Sequence, residues 1–172
     1  VGTCFNFHPR RPQYNNSMLE WLASMQDMGK PCYGCVSTKS IAGYMSHASG
    51  RMPFNVSRTY RSLADLPHEE KMNELSDPEV RAMILDEIED RGGLPIKMDA
   101  KDDHDYVGML YPMIGDGVPQ DWSHWACHEP QIKDSVTYRA KDAGISPAEY
   151  MYDLSLERGG HQAFYTPHIN YM

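Results

Sequence analysis

Gly2-Thr3-Cys4-Phe5-Asn6-Phe7-His8 and, after Gly29-Lys30-Pro31, Cys32-Tyr33-Gly34-Cys35-Val36-Ser37-Thr38 are the two segments whose reading decides the fold class. Both are short and rich in aromatic, β-branched and cysteine side chains, which suits buried strands. Between them Met18, Trp21, Leu22, Met25 and Met28 recur at spacings of three and four, the apolar stripe of a helix. Asn16 or Ser17 is the expected N-cap and Gly29 the stop. Strand, helix and strand make a βαβ unit, whose crossover favours parallel pairing, so the class is α/β.

Downstream, residues 39–66 show no period and carry many Ser, Gly, Arg and Pro, a stretch too long for a passive connection. Two helices are predicted next. One covers about 67–75; the other starts at Ser76-Asp77-Pro78-Glu79, read as a Ser-x-x-Glu capping box, with Val80, Met83, Ile84 and Ile88 inward and Gly92-Gly93 ending it. A strand is expected near 106–111, after the acidic stretch 99–105. Ser135 to Ala143 reads as a helix stopped by Gly144. Ser146-Pro147-Ala148-Glu149 is another capping box, launching a helix to about Arg158 that Gly159-Gly160 closes. Three parts are therefore expected: a βαβ portion over 1–38, a loop and helical insertion over 39–133, and returning helices over 134–172.

Composition narrows the function classes. A net charge of −8 over 172 residues argues against a nucleic-acid surface or an anionic membrane as partner. No apolar run approaches the ~20 residues that span a bilayer, and no secretory signal opens this stretch. Four cysteines (Cys4, Cys32, Cys35, Cys127) do not make a disulfide scaffold, and a reducing, cytoplasmic setting is expected. Cys32 and Cys35 match C-x-x-C, but a redox pair wants a helix N-terminus, whereas these fall in a predicted strand and read as buried strand cysteines rather than structural zinc ligands. The acidic run Asp99, Asp102, Asp103, Asp105 lacks the glycine and terminal glutamate of a calcium loop. Gly-rich phosphate loops, Gly-x-Ser-x-Gly and His-Glu-x-x-His are absent from the sequence. His47, with Arg51, Arg58 and Tyr60, is a set able to hold a carboxylate, set against a reading as plain surface polarity. Trp122, His124, Trp125 and His128 read as packing of the insertion. The chain opens on Val1 in strand-like sequence and closes on Asn170-Tyr171-Met172 without a polar tail, so an internal segment of a larger protein is expected.

One string of motifs is more specific than any of its members. It runs Pro53-Phe54, Tyr60-Arg61-Ser62-Leu63, Asp65-Leu66-Pro67, then Leu75-Ser76-Asp77-Pro78-Glu79-Val80-Arg81 and Ile84-Leu85. It continues with Asp121-Trp122, Glu129-Pro130, Ser135-Val136, Ser146-Pro147-Ala148-Glu149, Tyr152-Asp153-Leu154, Gly159-Gly160 and Asn170-Tyr171. From about Gly29 onward this resembles the N-acyl-D-amino-acid deacylase branch of the amidohydrolase superfamily. The resemblance implies a (β/α)8 TIM-type barrel, of which this chain supplies late βα units with a long, mostly helical insertion. It implies one or two zinc ions that activate a water against the C–N amide bond of an N-acyl (D-)amino acid or related N-acyl compound.

Within that resemblance no catalytic residue falls inside the chain. The early His-x-His is missing, and the sequence stops before the segment that carries the family's catalytic aspartate. His8 is similar to the histidine preceding the last βα pairs and is the expected metal ligand. Arg10 stands where relatives often carry a lysine for the substrate carboxylate; arginine keeps the charge and changes the geometry. His47, Arg58 and Tyr60 are the further substrate-binding candidates, in the loop over the site. One histidine does not hold a zinc ion, which takes three or four protein ligands, so the segment by itself is expected to be inactive. The alternative expectation is a non-catalytic binding or structural module derived from such a barrel.

Overall fold

The structure, a computed structural model, describes residues 3–6, 12–35, 41–101, 108–114, 118–119 and 130–169. The chain divides into two compact units, residues 1–41 with 168–172 and residues 42–167. Mixed α/β structure follows from the element order, with seven α-helices among the described residues.

In the first unit, β1 (Thr3–Asn6) pairs in parallel with β2 (Cys32–Cys35), Thr3 opposite Cys32 and Asn6 opposite Cys35. The connection is α1 (Pro12–Asp27), so the βαβ reading holds. The helix starts at Pro12, ahead of the expected Asn16 or Ser17, because a proline at the first helical position gives up an N–H that would have no partner there. Its buried face is narrower than the sequence stripe: Leu22 is buried, but Trp21 is exposed, and Met28, which follows the last helical residue, is exposed too. Gln26 Nε2 donates to the Cys32 carbonyl at 3.0 Å and ties the helix end to the second strand.

The second unit contains the larger core. After β3 (Ile41–Met45) and a 3-10 turn at Pro53–Val56 come α2 (Arg58–Ser62), α3 (His68–Leu75) and α4 (Pro78–Glu89). Short strands β4 (Tyr111–Ile114) and β5 (Val118–Pro119) follow, then α5 (Val136–Ala143), α6 (Pro147–Ser155), α7 (Glu157–Gly160) and β6 (Phe164–Ile169). The sheet order is β3-β6-β4-β5, with β4 antiparallel to both β5 and β6. Residues 136–160 thus share a unit with residues 42–101.

Local chemistry explains most boundaries. At α4 the N-cap is Asp77, whose carboxylate accepts from the backbone N–H of Glu79 and Val80, and not the expected Ser76. The Ser76 hydroxyl instead donates back to the Met72 carbonyl at the end of α3. At α6 the full capping box forms, Ser146 Oγ accepting from Glu149 N and Glu149 Oε2 accepting from Ser146 N. Ser135 caps α5, and Gly144, at φ 71°, ends it in the left-handed region that glycine enters without a Cβ clash. Phe54, Leu75, Ile84, Ile88, Met151 and Phe164 fill the core, each worth about 1.5–3 kcal/mol when fully buried. Of the four residues expected to face inward on α4, Ile84 and Ile88 are fully buried and Met83 is exposed. Tyr152 adds a polar tie, its hydroxyl donating to the Leu75 carbonyl at the C-terminus of α3 at 2.9 Å.

No helix among the described residues is long and apolar enough to cross a membrane.

Candidate functional site

The chemistry-bearing side chains of the second unit converge on His47. The turn after β3, closed by the Ser46–Arg51 bridge, carries it inward, where it is buried. Its Nδ1 lies 2.9 Å from the hydroxyl of Tyr60, on α2, and its Nε2 lies 2.8 Å from Oγ of Ser155, the last residue of α6. Ser155 Oγ donates its one proton to the Tyr152 carbonyl at 2.7 Å. That assigns the protons on the rest of the chain of bonds: Nε2–H donates to Ser155, and the Tyr60 hydroxyl donates to a bare Nδ1. Phe54 stacks on the imidazole, the ring centroids 6.2 Å apart.

Electrostatics keep this imidazole neutral. Burial, reinforced by the charges of Lys71 and His68, pushes it down to about 4 from its ordinary 6.5. Burial likewise raises the phenols of Tyr60 and Tyr152. Lys71 is itself buried, its ammonium 4.4 Å from the centre of the Tyr60 ring, and burial lowers its affinity for the proton. At neutral pH the group is a set of closed hydrogen bonds between three segments, in which each ring nitrogen of His47 already has a partner.

A second polar centre lies at the start of α2. Glu87 of α4 accepts from Ser57 Oγ, from the backbone N–H of Arg58 and Thr59, and from Thr59 Oγ1, at 2.6–3.1 Å. These donors hold its carboxyl down at about 2. Arg81 of α4 grips Asp153 of α6 with two parallel bonds of 2.7 and 2.9 Å.

Among the substrate-binding candidates, His47 and Tyr60 are brought together, both buried, so neither side chain is offered to solvent. The Arg58 side chain is exposed and takes no part in their hydrogen bonds. His8 and Arg10 lie outside the described residues, as do His124, His128 and Cys127. Cys32 is buried with a free thiol. Among the described residues no three His, Cys, Asp or Glu side chains are gathered as a metal ion would need. Ser155, Lys71 and Glu87 escaped the sequence reading, although each lies on the apolar stripe of its helix: Ser155 beside Met151 and Tyr152, Lys71 beside Met72 and Leu75, Glu87 beside Ile84 and Ile88. A polar residue on such a stripe is the signal that would have found them.

Comparison with family models, with curated proteins and with solved structures finds no match for this chain.

Proposed function

We propose that this chain is the part of a zinc-dependent amidohydrolase that contributes late βα units of a (β/α)8 barrel and a helical insertion. The reaction is hydrolysis of the C–N amide bond of an N-acyl amino acid, the D series included, or of a related N-acyl compound. One observation carries the reading: β1, α1 and β2 form a parallel βαβ unit, and His8 follows the last residue of β1 by two positions in the sequence. The C-terminal end of a strand is where barrels of this kind place their chemistry. The order of motifs from Pro53 to Tyr171 supports the same reading.

In this reading His8 is a metal ligand and Arg10 meets the substrate carboxylate. Zinc, when bound, polarises the amide carbonyl and lowers the pKa of a bound water. One histidine does not hold a zinc ion, so in this reading His8 acts with ligands from other strands of the barrel.

A second reading, a non-catalytic structural module, is favoured by the His47 cluster, where each ring nitrogen already has a protein partner, Tyr60 on one side and Ser155 on the other.

The test uses this chain and the longest reading frame that contains it. Zinc is measured after dialysis, and amino acid release from N-acetyl-D-amino acids is followed. The longer protein is expected to hold zinc and to hydrolyse; His8→Ala loses metal and turnover while keeping its circular dichroism, and the chain alone releases no amino acid. A longer protein that holds no zinc and releases no amino acid overturns the hydrolase reading and leaves the structural module. Full activity in His8→Ala overturns His8 as ligand, and activity that survives exhaustive chelation overturns the zinc.

A further inference from the structure

The C-terminal turn of α4 carries charge that its own helix disfavours. Asp86 and Glu89 sit in that turn and Asp90 caps it, with no basic residue among them. The C-terminus of a helix is the negative end of its dipole and attracts cations. Beside this turn opens a cavity of about 620 Å³, within the range of ordinary small-ligand sites. Leu85, Ile88, Leu94, Met98, Pro147 and Ala148 give it an apolar wall, and Asp86, Glu89 and Glu149 put three carboxylates on its lining.

The lining has one cation, Arg81, and it is committed to Asp153 through two short bonds. Glu149 is engaged in capping α6 and lies 3.9 Å from Arg81. Asp86 and Glu89 are different: both are exposed, and neither carboxylate makes an ion pair or hydrogen bond with a described residue. Arg91, next along the chain, is exposed and pairs with neither. Gly92 and Gly93, at φ 85° and 101°, carry the backbone past the opening without a side chain, and a Cβ at either would meet nothing within 4 Å. The groove is therefore apolar inside, open, and negative at its edge.

We propose that this groove binds an organic cation with an apolar body, an ammonium on an aliphatic or aryl-alkyl chain. The body rests on Leu85, Leu94 and Ala148, and the charged head lies between Asp86 and Glu89. Charge complementarity selects this occupant: the same edge repels carboxylates, so the groove is separate from any site for an N-acyl amino acid and stands whether or not the hydrolase reading does.

The experiment titrates the full chain with n-hexylammonium at low salt, by calorimetry and by chemical-shift perturbation, with n-hexanol and n-hexanoate as probes of the same apolar body. Hexylammonium is expected to bind saturably, about tenfold tighter than hexanol, the worth of two exposed charge contacts; hexanoate does not bind. Asp86→Asn combined with Glu89→Gln brings the ammonium down to the affinity of hexanol. That variant removes negative charge from the negative end of a helix, so its Tm is unchanged or raised and lost binding is not lost folding. Ala82→Trp, from an exposed position on the lining, fills the opening and abolishes binding. The proposal is overturned if hexylammonium shows no saturable binding, if it binds no tighter than hexanol, or if either variant leaves its affinity unchanged.

Discussion

The Nδ1 of His47 and the hydroxyl of Tyr60 are 2.9 Å apart inside the unit of residues 42–167, and the phenol is the donor. This direction matters, because a second proton on the ring would occupy the one nitrogen that accepts. It would also place a buried positive charge near Lys71, whose ammonium lies over the same Tyr60 ring.

Stability should therefore fall with acid in a defined window. The folded imidazole takes a proton at about 4 and the unfolded one at its ordinary 6.5, so between these values the unfolded chain holds more protons. Stability from this residue is complete above 6.5 and is lost as pH falls towards 4, by up to about 3 kcal/mol. Urea titrations from pH 7 to pH 4 measure it. His47→Gln should be less stable at pH 7 and should lose most of that slope; a wild-type protein with constant stability over the window contradicts the assignment.

Glu87 gives a second, lower window. Its carboxyl is held at about 2 against an ordinary 4.5, so its contribution is present above 4.5 and disappears as pH falls through 2. Glu87→Gln should lower the stability at neutral pH and reduce the acid loss below 4.5, leaving the His47 window in place. Far-UV circular dichroism followed during acid titration, together with urea midpoints at each pH, separates the two. Equal acid profiles for Glu87→Gln and wild type would show that the four donors do not discriminate the ionised carboxylate.

Two glycines with similar backbone angles should respond unequally to alanine. Gly144 at φ 71° has open space where a Cβ would go, so Gly144→Ala costs only the left-handed strain, about 1–2 kcal/mol. Gly160 at φ 79° faces Met72, and a Cβ there runs into its Sδ, with His68 Cε1 also near. Gly160→Ala therefore adds overpacking of roughly 1–3 kcal/mol to the same strain. Thermal unfolding of the two variants decides; equal losses would mean that Met72 swings clear at no cost.

Much of the secondary structure was legible because the controlling chemistry is local. The Gly144 stop and the Ser146–Glu149 box are set by groups within a few residues of the backbone they satisfy, and both occur as read, while Ser135, expected as the first helical residue, is the N-cap. The parallel βαβ unit was legible for the same reason, from a period-3.6 stripe between two short apolar runs. Ser76 was misread because two candidates, Ser76 and Asp77, stand side by side; the carboxylate of Asp77 takes the amides of α4 while Ser76 serves α3. The stretch 39–66, without a period, nevertheless holds β3 and α2. A five-residue helix cannot show a repeat, and the N-terminus of α2 is held by Glu87, about thirty residues downstream.

What the sequence by itself determined is the parallel βαβ order, the end of α5 and the start of α6, and which residue types are available for chemistry. It also supplied the candidates His47, Arg58 and Tyr60 as a group. Only the tertiary structure decided that His47 and Tyr60 meet in a buried bond, that Ser155 closes the other side of the ring, and that Arg58 stays in solvent. The reason is range: His47 and Ser155 are separated by 108 positions, and no local rule joins them. Their contact and the neutrality of the imidazole arise when α2, α6 and the turn after β3 pack together and exclude water.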